Sequence, residues 1–182
     1  MQAIEVEVPD AAPSDAAERL LAAAEKIKGE VNCFDFVPSD YRRAWSVLAY
    51  LRPSFDLDER RPVPNGTAAN STMRLLPRFC EWGSGMGVVT GLAALLGYRA
   101  SGVERDAELA NLSRELLASQ GIEAAIHSQD MFESREQADV YYAYGWAIQR
   151  SLIEEHFESI APSGGFLVLC HGQSDLRIYQ NG

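Results

Sequence analysis

The sequence predicts an α/β fold in which a doubly wound, mostly parallel sheet lies between two layers of helices. Two observations support this prediction. Across residues 73–182, apolar runs of four to seven residues alternate with helical patterns, and this alternation is typical of right-handed βαβ units. A length of 182 residues with 47% hydrophobic content also suits one compact domain with a full core.

The region ahead of this core, residues 1–72, is predicted to form an N-terminal arm, two helices and a long loop that covers the site. Residues 1–13 show no helical or strand period and are expected to be a loose arm. Helical patterns follow at 14–29 and 40–51. Prolines, an Asn-Gly pair and small polar residues at 53–72 predict a loop of the length that often forms a lid.

The predicted core contains six strands and three helices. Few residues follow the fifth strand, so the sheet is expected to be short at its C-terminal edge. An open edge there would favour a homodimer. The strands are expected at 75–81, 100–104, 122–128, 138–144, 166–171 and, at an edge, 176–179, and the helices at 87–96, 106–119 and 149–160.

The charge of the chain disfavours nucleic acid as a partner. The formal net charge is −10, and nucleic-acid binding needs cationic groups that displace counterions. Residues 41–80 nevertheless have a net charge of +4. Two interpretations stay open, namely a solvated surface with a few ion pairs or a patch that attracts an anionic substrate. The seven arginines of this segment are at positions 42, 43, 52, 60, 61, 74 and 78.

Other features predict a cytoplasmic protein without a membrane partner or a metal site. No apolar run approaches the roughly 18 to 20 residues of a membrane span, and the first ten residues have neither region of a signal peptide. The three cysteines, Cys33, Cys80 and Cys170, are far apart and lack metal-ligand spacing.

The glycine loop, residues 81–87 with the sequence EWGSGMG, follows the first core strand. Ligands of doubly wound sheets bind at this position, and glycine lets a ligand approach the backbone closely. The dinucleotide pattern G-x-G-x-x-G does not fit, because Val88 or Thr90 stands where the third glycine belongs. The carboxylate of Glu81 would repel a pyrophosphate but suits a ligand that contains a cation.

This loop resembles the first motif of the class I S-adenosylmethionine-dependent methyltransferases, an acidic residue followed by x-G-x-G-x-G. The resemblance continues in chain order over roughly residues 75–170. Glu104 ends the second core strand, Asp130 follows the third, aromatic residues end the fourth, and a Pro-Ser-Gly-Gly turn precedes the fifth. Residues 36–41 are also similar to the lead-in of some small protein-lysine methyltransferases.

The resemblance implies that the protein binds S-adenosylmethionine and methylates nitrogen or oxygen of a small-molecule or protein acceptor. It implies that Glu81 favours the cationic groups of the cofactor, that Glu104 accepts from the ribose hydroxyls, and that Asp130 binds the adenine amine. Met131 or Phe132 would cover the adenine ring. The expected cofactor-binding residues are Glu81, Gly83, Ser84, Gly85, Gly87, Glu104, Arg105, Asp130, Met131 and Tyr142.

Aromatic residues at the end of the fourth core strand are expected to border the methyl-transfer centre, and Tyr144 and Trp146 are the candidate catalytic residues. An aromatic wall suits a cationic amine, whereas the +4 segment suits an anionic acceptor, and both interpretations stay open. Segment 40–42 is interpreted as a helix start, with closure over the cofactor as the alternative. The three histidines are isolated in the sequence and are expected to be structural.

Two other functions compete with methyl transfer. One is a catalytically inactive regulatory protein that binds S-adenosylmethionine or S-adenosylhomocysteine. The other is an NAD-dependent oxidoreductase, which the missing third glycine of the loop disfavours.

Overall fold

The computed structural model describes residues 1–28, 39–55 and 76–182. Most of the loop expected at 53–72 lies outside the described residues. None of the described helices is long and apolar enough to cross a bilayer.

The helices and strands follow the predicted alternation. In chain order they are β1 (Gln2–Ile4), α1 (Asp15–Lys28), α2 (Tyr41–Leu51), a 3-10 turn (Arg52–Phe55), β2 (Arg78–Trp82), α3 (Val88–Leu95), β3 (Arg99–Glu104), α4 (Ala107–Ser119), β4 (Ala125–Ser128), β5 (Val140–Tyr144), α5 (Arg150–Ile160), β6 (Phe166–Cys170) and β7 (Leu176–Gln180).

Seven strands of the described residues form one sheet in the order β1-β7-β6-β5-β2-β3-β4. Strands β2 to β6 are parallel to one another, whereas β7 is antiparallel to both β6 and β1. The chain winds outward from β2 in both directions, with β3 on one side and β5 on the other. The end of β2 is therefore the switch point at which such sheets bind ligands.

Helices cover both faces of the sheet, as the sequence predicts. Along β5, Val140 and Tyr142 pack in the cluster formed with α2 and α3, whereas Tyr141 and Ala143 pack in the cluster formed with α5. Successive strand residues point to opposite faces, so β2, β3, β5 and β6 each contribute to two hydrophobic clusters. The three-layer α/β/α prediction is confirmed.

The sheet edge differs from its prediction, which was wrong in two respects. Strand β7 is internal, and the edge position beside it is taken by β1, which lies in the arm expected to be loose. Ile4 is paired with Ile178 in this antiparallel ladder and packs against the core. A segment of three residues is too short to show a strand period. Because the chain supplies its own edge strand, the reason for expecting a homodimer no longer applies.

The N-terminal helices are attached to the core by specific contacts. Side chains of α1 and α3 share one hydrophobic cluster with α4, in which Leu20 and Leu92 are fully buried. The arm is fixed to α2 by a hydrogen bond from Trp45 Nε1 to the Ala12 carbonyl oxygen, at 3.2 Å. Asp40 caps α2 by accepting from the Arg43 amide. Its own amide donates to the Gln173 carbonyl at 2.8 Å, so the start of α2 is held beside the sheet.

Candidate functional site

The carboxyl ends of β2, β3 and β5 open into one cavity of about 500 Å³. This volume is within the range of about 300 to 1,000 Å³ that is typical of small-molecule sites. The glycine loop lies at its centre. On one side, which we call the acidic side, are Glu104, Asp106 and Asp130, and on the other, the aromatic side, the cavity is lined by Tyr41, Tyr142, Tyr144 and Trp146.

Eleven of the twelve predicted site residues line this cavity, and Gly87 is the exception. Those eleven are Glu81, Gly83, Ser84, Gly85, Glu104, Arg105, Asp130, Met131, Tyr142, Tyr144 and Trp146.

The amides of the glycine loop are already bonded within the protein. Gly83 and Ser84 both donate to the Val103 carbonyl oxygen, at 2.8 and 2.9 Å, and Gly85 donates to Glu104 Oε2 at 2.8 Å. Gly83 has a φ of 70°, and a methyl group added to it would meet no protein atom within 4 Å. A ligand here therefore meets a bare Cα at close range instead of a row of free amide donors.

A glycine is required at position 87 because the backbone there packs closely against α4, outside the cavity. Gly87 is the N-cap residue of α3 and has a φ of 69°. A Cβ at this position would lie 2.0 Å from Ser113 Oγ in α4, a distance that excludes a side chain. The third glycine of the loop thus lets α3 begin against α4.

Glu81 is a buried carboxylate at the floor of the cavity, with 6% of its surface exposed. Its Oε2 accepts hydrogen bonds from the Thr90 amide, at 2.8 Å, and from Thr90 Oγ1, at 2.6 Å. Burial raises the pKa of Glu81 to about 8, the Thr90 hydrogen bonds oppose this, and the Glu104 carboxylate adds to it. A positive charge bound nearby would favour the ionised form of Glu81.

Glu104 is held between the glycine loop and the start of α4. Its Oε2 accepts from Gly85, and its Oε1 accepts from the Asp106 amide at 2.9 Å. A carboxylate has about four lone-pair positions, so each oxygen retains one for a ligand hydroxyl. This geometry is suited to a pair of neighbouring hydroxyl groups.

Asp130 forms a tight turn after β4. Its Oδ1 accepts from the Phe132 amide at 2.9 Å, which directs Met131 and Phe132 toward the same cavity. An acceptor atom beside an apolar surface is an arrangement that binds the edge and face of a flat heterocycle.

On the aromatic side, Tyr142 is fully buried and its hydroxyl oxygen accepts from Cys170 Sγ at 3.0 Å. Burial, followed by the influence of Cys170, raises the pKa of Tyr142 well above its ordinary value. The rings of Tyr144 and Trp146 meet edge to face, with centroids 5.9 Å apart. Trp146 is 47% exposed and therefore forms the rim of the cavity.

Solved structures of methyltransferases share this architecture. The chain superposes on an RNA methyltransferase from Salinibacter ruber, solved in complex with S-adenosyl-L-homocysteine, with a TM-score of 0.51 and 18% identity over 65% of this chain and 92% of that chain. It superposes on a putative caffeoyl-CoA O-methyltransferase from Staphylococcus aureus with a TM-score of 0.59 and 14% identity over 86% of this chain and 66% of that chain. The fold is that of the class I methyltransferases.

A third match is the ribosomal protein L11 methylase from Lactobacillus delbrueckii subsp. bulgaricus, with a TM-score of 0.52 and 14% identity over 62% of this chain and 74% of that chain. No protein-family model and no curated protein matches the sequence. The likeness to methyltransferases is therefore one of fold, at low sequence identity.

Some of the residues that line the cavity were not predicted from the sequence. Tyr41 stands in the first turn of α2, about forty residues before the glycine loop, and its segment was interpreted as a helix start. It is a helix start, and Tyr41 also lines the cavity. Burial, followed by the carboxylates of Glu81 and Glu25, raises the pKa of Tyr41. The other lining residues that were not predicted are Ser39, Trp82, Val88, Val103, Asp106, Leu109, Ile148 and Gln149.

A signal in the sequence was available for only some of these residues. Ile148 and Gln149 follow the predicted fourth core strand within a few residues, and ligands of doubly wound sheets bind beyond the carboxyl ends of the strands. Ser39 and Tyr41 reach the cavity only through the packing of α2 on the sheet, which no local pattern indicates.

All three histidines lie in the described part of the chain. His156 packs against Trp82 and Phe132, with ring centroids 4.9 and 5.9 Å away. Burial and then the charge of Arg135 lower the pKa of His156. None of the three lines the cavity. Within the described ranges, no group of three His, Cys, Asp or Glu side chains is arranged to hold a metal ion.

Proposed function

We propose that this protein is an S-adenosylmethionine-dependent methyltransferase that acts on a small-molecule or protein acceptor. The observation that supports this most directly is the grouping of Glu81, the glycine loop and Glu104 around one cavity at the switch point of the sheet. Glu81 lies below the loop, the bare Cα of Gly83 lets a ligand approach the backbone closely, and Glu104 ends the neighbouring strand.

The residues fit the cofactor at several points. Glu104 would accept from the two ribose hydroxyls, and Asp130 from the adenine amine, with Met131 and Phe132 against the ring. Glu81 would favour the positive end of the molecule. Ser84 Oγ is buried, lines the cavity and has no hydrogen-bond partner among the described residues. A polar ligand would supply that partner.

When bound, S-adenosylmethionine supplies a methyl group already activated by its sulfonium. The protein's own task is alignment and exclusion of water, which provide much of the acceleration of such transfers. Tyr142 and Tyr144 would wall the acceptor side, and Trp146 would close its rim. We propose Tyr144 and Trp146 as the residues that touch the acceptor.

Calorimetric titration with S-adenosylhomocysteine tests this proposal. We expect measurable binding of S-adenosylhomocysteine and no heat with NAD, because the loop lacks the third glycine of the dinucleotide pattern. The variant Glu104→Ala should weaken binding at least about tenfold, since a hydrogen bond to a charged group contributes roughly 1.5–3 kcal/mol. Glu108→Ala, which changes an exposed carboxylate in α4, is the matched control and should bind as the wild type does.

The outcomes separate the three functions. Binding of NAD in preference to S-adenosylhomocysteine would identify an oxidoreductase. Binding of S-adenosylhomocysteine without methyl turnover on any acceptor would identify a regulatory binding protein. Unchanged affinity in Glu104→Ala, with its fold intact by circular dichroism, would remove the assigned cofactor site.

A further inference from the structure

The described arginines of the basic segment 41–80 do not line the cavity. Arg42 is bonded to Glu18 at 2.7 Å, and Arg78 lies 3.5 Å from Asp139. None of the four described arginines of this segment lines the cavity, so they provide no attraction for an anionic acceptor. The other two described arginines are Arg43, which donates to the Val8 carbonyl oxygen, and Arg52, which lies over the Tyr98 ring. Positions 60, 61 and 74 lie outside the described residues.

The charges that do line the cavity are mostly negative. The carboxylates of Glu104, Asp106 and Asp130 stand against the single guanidinium of Arg105 among the described lining residues. The Glu81 carboxyl group, whose pKa is raised to about 8, adds a fourth negative charge when a cation binds beside it. A cavity with this balance focuses a negative potential and attracts a cationic partner. It disfavours an acceptor that contains a phosphate or a carboxylate.

The aromatic side presents ring surfaces where the acceptor must enter. Its four rings come from α2, β5 and the loop after β5, and they line the same cavity as the glycine loop. Trp146 at the rim is 47% exposed, and Ile148, two residues further along the chain, is 86% exposed and also lines the cavity. Aromatic faces attract cations, and this rim suits an apolar group attached to one.

We infer, on the basis of the proposed function, that the methyl acceptor is an amine nitrogen attached to an apolar group and that the aromatic side of the cavity is its subsite. The amine lone pair forms the new N–CH₃ bond, and the C–S bond breaks with its electron pair going to sulfur. Before attack, the bound ammonium form loses one proton to solvent through the exposed rim, and the transfer then yields an N-methylammonium. An ammonium group loses this proton far more readily than an alcohol loses its own, so no dedicated base is needed.

Two tyrosines of this subsite stay neutral during the transfer. Burial raises the pKa of Tyr41 and of Tyr142, so neither phenol ionises near neutral pH. Their role is to orient the acceptor by contact and hydrogen bonding and not to remove its proton.

Matched acceptors test the inference. Methyl transfer from labelled S-adenosylmethionine is measured with phenethylamine, tryptamine and hexylamine, with the alcohol and carboxylic acid of each skeleton, and with a peptide that contains lysine. We expect transfer to at least one amine at a rate at least about tenfold above its matched alcohol and acid. Transfer to the peptide alone would identify the amine as a protein side chain, and transfer to a free amine would identify a small molecule.

Variants of the rim provide a second readout. Trp146→Leu should raise the KM for the amine roughly two- to fivefold through loss of a partly exposed cation–π contact, whereas Trp146→Phe, which keeps a ring, should have a smaller effect. Gln149→Lys places a cation in the cavity lining and should also raise the KM, with Gln149→Met as its neutral control. Leu152→Ala, an exposed change outside the lining, should leave the KM unchanged. Calorimetry with S-adenosylhomocysteine should show unchanged affinity in all five variants.

Failure of this inference can be distinguished from failure of the proposed function. If S-adenosylhomocysteine does not bind, the proposed function itself is overturned. If it binds, but methyl transfer prefers an alcohol or an acid or reaches no amine, only the amine inference is overturned. Equal KM values in Trp146→Leu and Trp146→Phe would remove the assigned subsite.

Discussion

The buried carboxyl group of Glu81 links the stability of the folded protein to the charge of the ligand. This group lies below the cavity and receives two hydrogen bonds from Thr90, which only partly oppose the effect of burial on its pKa. The sequence predicts a carboxylate next to a cationic ligand. It does not predict the Thr90 donors, which are positioned by the packing of α3.

The stability of the ligand-free protein should depend on the charge of Glu81. The pKa of Glu81 in the folded protein, about 8, is above its ordinary value of 4.5, so the folded state binds the proton more tightly than the unfolded state. The stabilisation is fully present below pH 4.5 and is lost as the pH rises through about 8. Urea unfolding of the wild type and of Glu81→Gln from pH 5 to pH 8.5 would measure this loss as a difference between the two proteins.

The comparison with Glu81→Gln removes the contribution of the histidines, because His156 and His171, whose pKa values are lowered, titrate in both proteins. Parallel stability curves for the two proteins would contradict the assignment. Binding of S-adenosylmethionine should strengthen as the pH rises toward 8 in the wild type, because its positive charge favours ionised Glu81. This dependence should be absent in Glu81→Gln.

Two glycines of the loop should have different roles. We expect Gly83 to contact the ligand and Gly87 to allow packing of α3 against α4. Gly83, Gly87 and the distant Gly121 all have positive φ values, and a Cβ would meet no atom within 4 Å at Gly83 or Gly121. Gly83→Ala and Gly121→Ala should each cost about 1 kcal/mol of unfolding free energy through backbone strain. Gly87→Ala should cost roughly 1–3 kcal/mol more, because its Cβ would overlap Ser113.

Gly83→Ala and Gly121→Ala should lose similar stability but differ in their affinity for S-adenosylhomocysteine. Gly83→Ala should weaken binding, since its methyl group occupies the space next to the loop, whereas Gly121→Ala should bind as the wild type does. Chemical denaturation and calorimetry measure the two effects. Equal losses of affinity in these two variants would mean that Gly83 has no contact with the ligand.

At the scale of elements, the central strands are predictable and the edge is not. The apolar run of β5 and the helical period of α4 extend over enough residues to be recognised. Strand β1 has three residues, and its position depends entirely on a partner about 175 residues later in the chain. The approach of α2 to the cavity is equally non-local, which explains why Tyr41 was not predicted as a site residue.

Strand β1 should contribute measurably to stability. Ile4 is half-buried against the core and lies opposite Ile178, so Ile4→Ala should cost about 1–2 kcal/mol, less than a fully buried isoleucine. Gln2→Ala, an exposed change in the same strand, should change the unfolding free energy by less than about 0.5 kcal/mol. Urea unfolding measures both variants. Equal stabilities would mean that β1 does not hold the edge in solution.

At the scale of the whole molecule, the strand–helix alternation was sufficient to predict the three layers, because each layer follows from burial of one face of each element. The sequence divides the chain at residue 72 into a cover and a core. The contacts of α1 and α2 with α3 support the proposal that the two regions form one compact domain.

One cooperative unfolding transition should therefore be observed. Trp45 in α2 reports the N-terminal region by fluorescence, and far-UV circular dichroism reports the whole fold. For the variant Trp82→Phe/Trp146→Phe, in which Trp45 is the sole tryptophan, we expect the two denaturation curves to coincide. A fluorescence transition at lower urea concentration would show that the N-terminal helices unfold separately from the core.

The pairing of Gln2 with Gln180 has a consequence for biosynthesis. The first strand to leave the ribosome can form its hydrogen bonds only after the last strand of the sheet has emerged, and loop closure over such a separation is entropically costly. During translation, the residues of β1 therefore stay unpaired until β7 has emerged. A nascent chain arrested before residue 176 should therefore expose the residues of β1 to protease.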